Sequence, residues 1–180
     1  NLIRKKNRLS SFFVCGHAQQ NIEAMCLCKP DNISIDENIP LEYVKKVADK
    51  YKISIGGNLK LTTVLLHGTE EDAQHEALDC IDTGGHTGLI LAPGCDLPYD
   101  TPPENLKAIS RLIHDTYLQD VIRLMERKSG DVELLNMKDY GLADKVIVDI
   151  ITLDSESCAP CQYMVEAVKR VAPHFEGIVE

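Results

Sequence analysis

The chain has 180 residues, 44% of them hydrophobic, which is enough for one medium-sized core, and its formal charge of −9 speaks against a nucleic-acid or acidic-membrane surface. No apolar run approaches the roughly 18 residues of a membrane span, and the basic start NLIRKKNR has no apolar signal core behind it, so a soluble, cytoplasmic protein is expected. Seven cysteines, an odd count without regular spacing, argue against a secreted disulfide framework and favour metal or redox use. Beginning at Asn1 and stopping at EGIVE, the chain reads as a piece of something longer.

Four short apolar runs come first: LSSFFV (9–14), NISI (32–35), KISI (52–55) and GLILA (88–92). They alternate little and end in Gly, Asp or Cys, the pattern of strands buried on both faces of a parallel sheet. Helical patterns separate them. NIPLEYVKKVADKY offers Asn38 as N-cap and Pro40 in the first turn; TEEDAQHEALDCI opens on a Thr69–Asp72 capping box. From 101 to 128 a single helix is expected, with Thr101 capping, Pro102 first in the helix and Glu104 completing the box. Strand and helix alternating four times predict an α/β fold with parallel strands.

The charged, glycine-containing stretch 126–145 then breaks the pattern, and VIVDIITL (146–153) reads as a new strand before a helix that Pro173 ends. The division that follows is 1–118 for the first unit, 119–144 as linker and 145–180 for a smaller second unit.

In parallel α/β folds the chemistry sits at the carboxyl ends of strands. Those positions hold Cys15-Gly16-His17, Asp36-Glu37, Gly56-Gly57-Asn58 and Gly94-Cys95-Asp96. Two thiols, an acidic pair and a histidine on one face suit a zinc site with an open position, because soft thiolates bind zinc and the open position deprotonates a substrate thiol. The alternative is that Cys15 and Cys95 are small core residues, as free cysteines often are.

FFVCGHAQQNIEAM, ISIDENIPLEYVKKVADKYKISIGGNL and ILAPGCDLPYDTPPENLKAI resemble the C-terminal half of the uroporphyrinogen decarboxylase superfamily, over residues 8 to 116. The resemblance implies the C-terminal half of a (β/α)8 TIM-type barrel. The cysteine in APGC resembles the branch of zinc methyltransferases that move a methyl group from a corrinoid protein to a thiol such as coenzyme M. On that likeness Cys15 and Cys95 match the zinc cysteines and Glu37 (or Asp36) the acidic ligand. The branch's His-x-Cys position holds Phe13 here. Either His17 compensates, or the set is Cys15, Glu37 and Cys95, or no metal binds. Gly57 and Asn58 match a family Gly-Asn after a barrel strand, whose asparagine contacts substrate or neighbouring loops, or they form a strand-end turn. Zinc and a corrinoid carried by a partner protein are the implied cofactors. The rival within the superfamily is metal-free porphyrinogen decarboxylation, so the substrate is a small thiol or a porphyrinogen.

Cys158-Ala-Pro-Cys161, between a strand and a helix, resembles the thioredoxin superfamily, which implies the start of a truncated thioredoxin-like α/β domain. A helix N-terminus stabilises a thiolate at Cys158, and Cys161 one turn in resolves it. The pair also fits half a zinc ribbon, with no partner pair downstream. A third hypothesis therefore makes the chain chiefly a thiol–disulfide module. Cys26, Cys28, Cys80, His67, His75, His86 and His114 lack partners at ligand spacing and are expected in core, surface or capping roles.

Overall fold

The sheet is built from the isoleucine-rich runs that show no alternation. In this computed structural model residues 2–127, 145–152 and 159–178 are described. The chain divides into two compact units, Asn1–Arg127 and Lys128–Glu180. The first begins with a short helix, α1 (Leu2–Lys5), followed by β1 (Ser11–Val14), a 3-10 turn leading into α2 (Ile22–Leu27), and β2 (Asn32–Ile35). Next come α3 (Leu41–Tyr51), β3 (Ser54–Leu59), a π-helical turn (Leu61–Leu66) and α4 (Glu70–Gly84). β4 (Leu89–Pro93), α5 (Pro103–His114) and α6 (Thr116–Leu124) complete it.

The four strands are parallel, in the order β1-β2-β3-β4, with Phe12 opposite Ile33, Ile33 opposite Ile55, and Ile55 opposite Leu89. Ile33, Ile35, Ile55 and Val44 are fully buried, and each buried aliphatic side chain contributes about 1.5–3 kcal/mol. The expectation of burial on both faces holds for β2 and β3 and fails at the edges. Phe12, Phe13 and Ile90 are exposed, because β1 and β4 each have one neighbouring strand.

Helix ends differ from the sequence reading wherever proline sets the backbone. Thr69 and Asp72 do form the reciprocal capping box of α4. At α5, by contrast, Pro102 is the N-cap with ψ 122, because a residue before proline is driven out of the helical region. The helix therefore starts one residue late, and the Thr101 hydroxyl is buried without a hydrogen-bond partner. Pro40, with ψ 121, likewise replaces Asn38 as the cap of α3.

The single helix expected over 101–128 breaks at Asp115, whose carboxylate caps a new helix by accepting the Leu118 N–H at 3.0 Å. Residues 119–124, read from the sequence as the start of the linker, are thus helical. α6 lies against α4, with Arg123 bonded to Asp82 at 2.7 Å.

In the second unit α7 (Ala159–Val171) leads into a 3-10 turn (Ala172–Phe175) around Pro173. The expected strand over 146–153 is a correction. Within 145–152 there is one bridge, at Val146, whose N–H donates to Ile178 O at 2.8 Å. Strand pairing needs a continuous partner; Val146, Val148 and Ile151 are exposed. Residues 153 and 158 lie outside the described residues.

Chemical denaturation should separate the two kinds of stabilisation in the first unit. Ile33→Ala should cost about 2–5 kcal/mol by leaving a core cavity, and Thr69→Ala about 1 kcal/mol by removing the cap. Equal losses from the two would contradict this assignment of core and surface.

Candidate functional site

Cys15 directly follows β1, and Cys95 stands two residues beyond β4. Strands lie about 4.8 Å apart, so a flat four-stranded sheet would hold its edges about 14 Å apart. The two Sγ atoms are nevertheless 3.5 Å apart. The loops must therefore lean inward over the strand ends, and the corner after β2 is what holds them.

Asp36 is buried, with 5% exposure, and its carboxylate accepts three hydrogen bonds. Oδ2 accepts the Gly16 N–H at 2.6 Å and the Asn38 Nδ2 at 2.7 Å, and Oδ1 accepts the Asn38 N–H at 3.1 Å. The bond to Gly16 fixes the residue next to Cys15. Glu37 Oε2 accepts the Leu61 N–H at 3.0 Å, tying the same corner to the chain just after β3. From β3 itself, Asn58 Nδ2 donates to Asp36 O at 3.2 Å and to Ile39 O at 3.0 Å.

The loop after β4 closes on this corner through a glycine. A Cβ on Gly94 would lie 2.9 Å from Glu37 N and 3.0 Å from its Oε2, and the Gly94 N–H donates to Leu59 O at 3.0 Å. Only glycine lets the residue before Cys95 sit that close.

The electrostatics at Cys15 favour the proton. The Cys15 thiol is pushed up to about 11 from its ordinary 9.0, first by desolvation, then by the hydrogen bond and charge of Cys95 and by the nearby Asp36 and Asp96 carboxylates. Cys15 is exposed and Cys95 half-buried.

The other candidates are placed differently. His17 is exposed, and Glu37 points its carboxylate at a backbone N–H. Among the described residues no group of three or more His, Cys, Asp or Glu is arranged to hold a metal ion. Asn58 is a buried structural donor whose Oδ1 also accepts from the Cys80 thiol at 3.8 Å, and Gly57 has φ +118, with Ile35 O 2.4 Å from where its Cβ would stand. Cys161 is disulfide-bonded, and Cys158 lies outside the described residues. Cys26 and Cys80 are buried, and Cys28 is exposed at the end of α2. The bracing role of Asp36 escaped the sequence reading, which took it for a possible ligand; the glycine before Cys95 was the available signal that the loop packs closely.

The chain belongs to the Uroporphyrinogen decarboxylase (URO-D) family, whose sequence model matches residues 2–116. Similar curated proteins are the methylcobamide:CoM methyltransferases MtaA of Methanosarcina barkeri and of its strain Fusaro (DSM 804). Each is 29% identical over 105 residues, which cover 57% of this chain and 30% of the relative. A solved methyltransferase from Methanosarcina mazei matches with a TM-score of 0.55 and 27% identity, covering 62% of this chain and 32% of that one. The chain thus spans about a third or less of the relatives it matches. Among the described residues no helix is long and apolar enough to cross a membrane.

Two sulfurs on one tetrahedral zinc stand about 3.8 Å apart for Zn–S bonds of about 2.3 Å, close to the 3.5 Å found here. Phe13 offers no third ligand; the Asp36 and Asp96 carboxylates act on Cys15, and Glu37 stands against Gly94, the residue before Cys95.

Burial and Cys95 raise the Cys15 pKa most and the Asp36 charge adds to them, so Asp36→Asn should lower it from about 11 by only a small part of the way toward 9.0. Iodoacetamide labelling of Cys15 against pH reads this directly. An unchanged midpoint would show that Asp36 does not bear on the thiol.

Proposed function

We propose that the chain carries the thiol-activating side of a corrinoid-linked methyl transfer, in which a methylcobamide on a corrinoid protein donates to a small thiol acceptor. The observation that supports this most is the 3.5 Å approach of Cys15 to Cys95 across 80 residues of sequence. The second support is the name of the MtaA relatives, which states both a methylcobamide and CoM. Cys15 and Cys95 would hold zinc, with Glu37 as the third ligand. Zinc supplies a Lewis acid that deprotonates a bound thiol and leaves it nucleophilic at neutral pH.

The protein's own residues do the rest. Asp36 fixes the Gly16 amide and with it the Cys15 loop, and Gly94 lets the Cys95 loop close onto the Glu37 corner. Asn58 keeps that corner from moving by holding two of its carbonyls.

For the second unit we propose a thiol–disulfide role of the Cys158–Cys161 pair. Its support is that Cys161 is disulfide-bonded and stands in the first turn of α7. Labelling should find a Cys158 thiol well below 8.5; an ordinary value of about 8.5 would overturn this reading.

Zinc titration of the reduced chain against a chromophoric chelator tests the first reading. One zinc per chain is expected, with affinity lowered roughly tenfold or more in Cys95→Ser. A chain that takes up no zinc, or a variant that binds as tightly, would contradict it and leave metal-free porphyrinogen chemistry as the family activity to assay.

A further inference from the structure

We propose that Cys15 and Cys95 are a reversible modification site, closing to a disulfide when the chain is metal-free and meets a small-molecule disulfide. The consequence for metal binding rests on the zinc reading above; the bond itself does not.

The geometry carries the proposal. The sulfurs lie 3.5 Å apart, and a disulfide requires about 2.05 Å, so side-chain rotation has to bring them roughly 1.5 Å closer while Asp36 holds the Gly16 amide. Nothing lies within 4 Å of where a Gly16 Cβ would stand, so there is open space beside Cys15 for that rotation. Cys15 is exposed and Cys95 half-buried, which admits a reagent the size of glutathione disulfide. Among the described free cysteines, Cys26 and Cys80 are buried. Cys80 donates to Asn58 rather than to another thiol.

The exchange balances. One cysteine of the pair, as thiolate, attacks a sulfur of glutathione disulfide; the small S–S bond breaks, a mixed disulfide forms, and glutathione leaves and takes a proton. The second cysteine gives its proton to solvent, and its sulfur attacks the protein sulfur of the mixed disulfide, releasing a second glutathione. Two protein thiols are oxidised by two electrons, and one glutathione disulfide is reduced to two thiols. The closed pair no longer has thiolates to offer a metal. The same two side chains would therefore read the thiol redox state and gate metal loading.

The test treats the full chain, stripped of metal, with glutathione disulfide, blocks remaining thiols with iodoacetamide, and maps peptides without reduction. A linked pair carrying Cys15 and Cys95 is expected, reversed by dithiothreitol, whereas Cys95→Ser should give a glutathione adduct on Cys15 instead. Recovery of Cys15 and Cys95 alkylated, or as two separate adducts, would overturn the proposal. Zinc chloride added before the oxidant separates the two readings. A link that zinc suppresses supports both. A link formed regardless, in a chain that takes up no zinc, supports the modification and contradicts the metal reading. Zinc uptake by a chain that forms no link with the oxidant even when metal-free does the opposite.

Discussion

A buried carboxylate at the end of the second strand holds the candidate site together. An unpaired charge at 5% exposure would be strongly unfavourable, and Asp36 avoids that by accepting three hydrogen bonds, one of them from the Gly16 amide. Glu37 and Asn58 bind the same corner to the end of β3, and Gly94 seats the β4 loop against it. Four strand ends converge on two acidic residues. The meeting of Cys15 with Cys95 is a consequence of that bracing, because the sheet hydrogen bonds alone would leave opposite edges far apart.

This arrangement explains why the acidic residues need not be chemical groups themselves. Asp36 is engaged with backbone and Asn38, so its carboxylate acts on Cys15 by position and by charge. Glu37 makes one side-chain bond, to Leu61 N–H, and sits against the glycine that precedes Cys95. Of the two carboxylates at the corner, Glu37 makes the fewer hydrogen bonds among the described residues, which is why the proposed function assigns it to the metal. The URO-D family match and the likeness to a solved methyltransferase accord with a parallel α/β sheet.

Much of the fold was legible because four runs without alternation, separated by helical periodicity, have few other solutions. Cys15, Asp36, Asn58 and Cys95 could be placed at strand ends for the same reason. What could not be read was which polar group faces which. Asn58 was expected to contact substrate or neighbouring loops, and which loop could not be read: its amide donates to the carbonyls of Asp36 and Ile39, some twenty residues away in sequence. Helix starts were misplaced at Thr101 and Asn38 because proline's effect on the preceding residue outweighed a good capping side chain. The break at Asp115 was hidden inside a continuous helical period, since an aspartate there suits both a helix surface and a new cap. In the second unit VIVDIITL has strand composition, but composition does not supply a neighbour, and only Val146 finds a bridge within 145–152.

The central claim is that Cys15 and Cys95 act as one pair of sulfur donors. X-ray absorption at the zinc edge of the zinc-loaded chain tests it most directly, since sulfur at about 2.3 Å is resolved from nitrogen or oxygen at about 2.0–2.2 Å. Two sulfur neighbours are expected in the natural chain and one in Cys15→Ser. A zinc surrounded by nitrogen and oxygen alone, or a sulfur count untouched by that substitution, would contradict it.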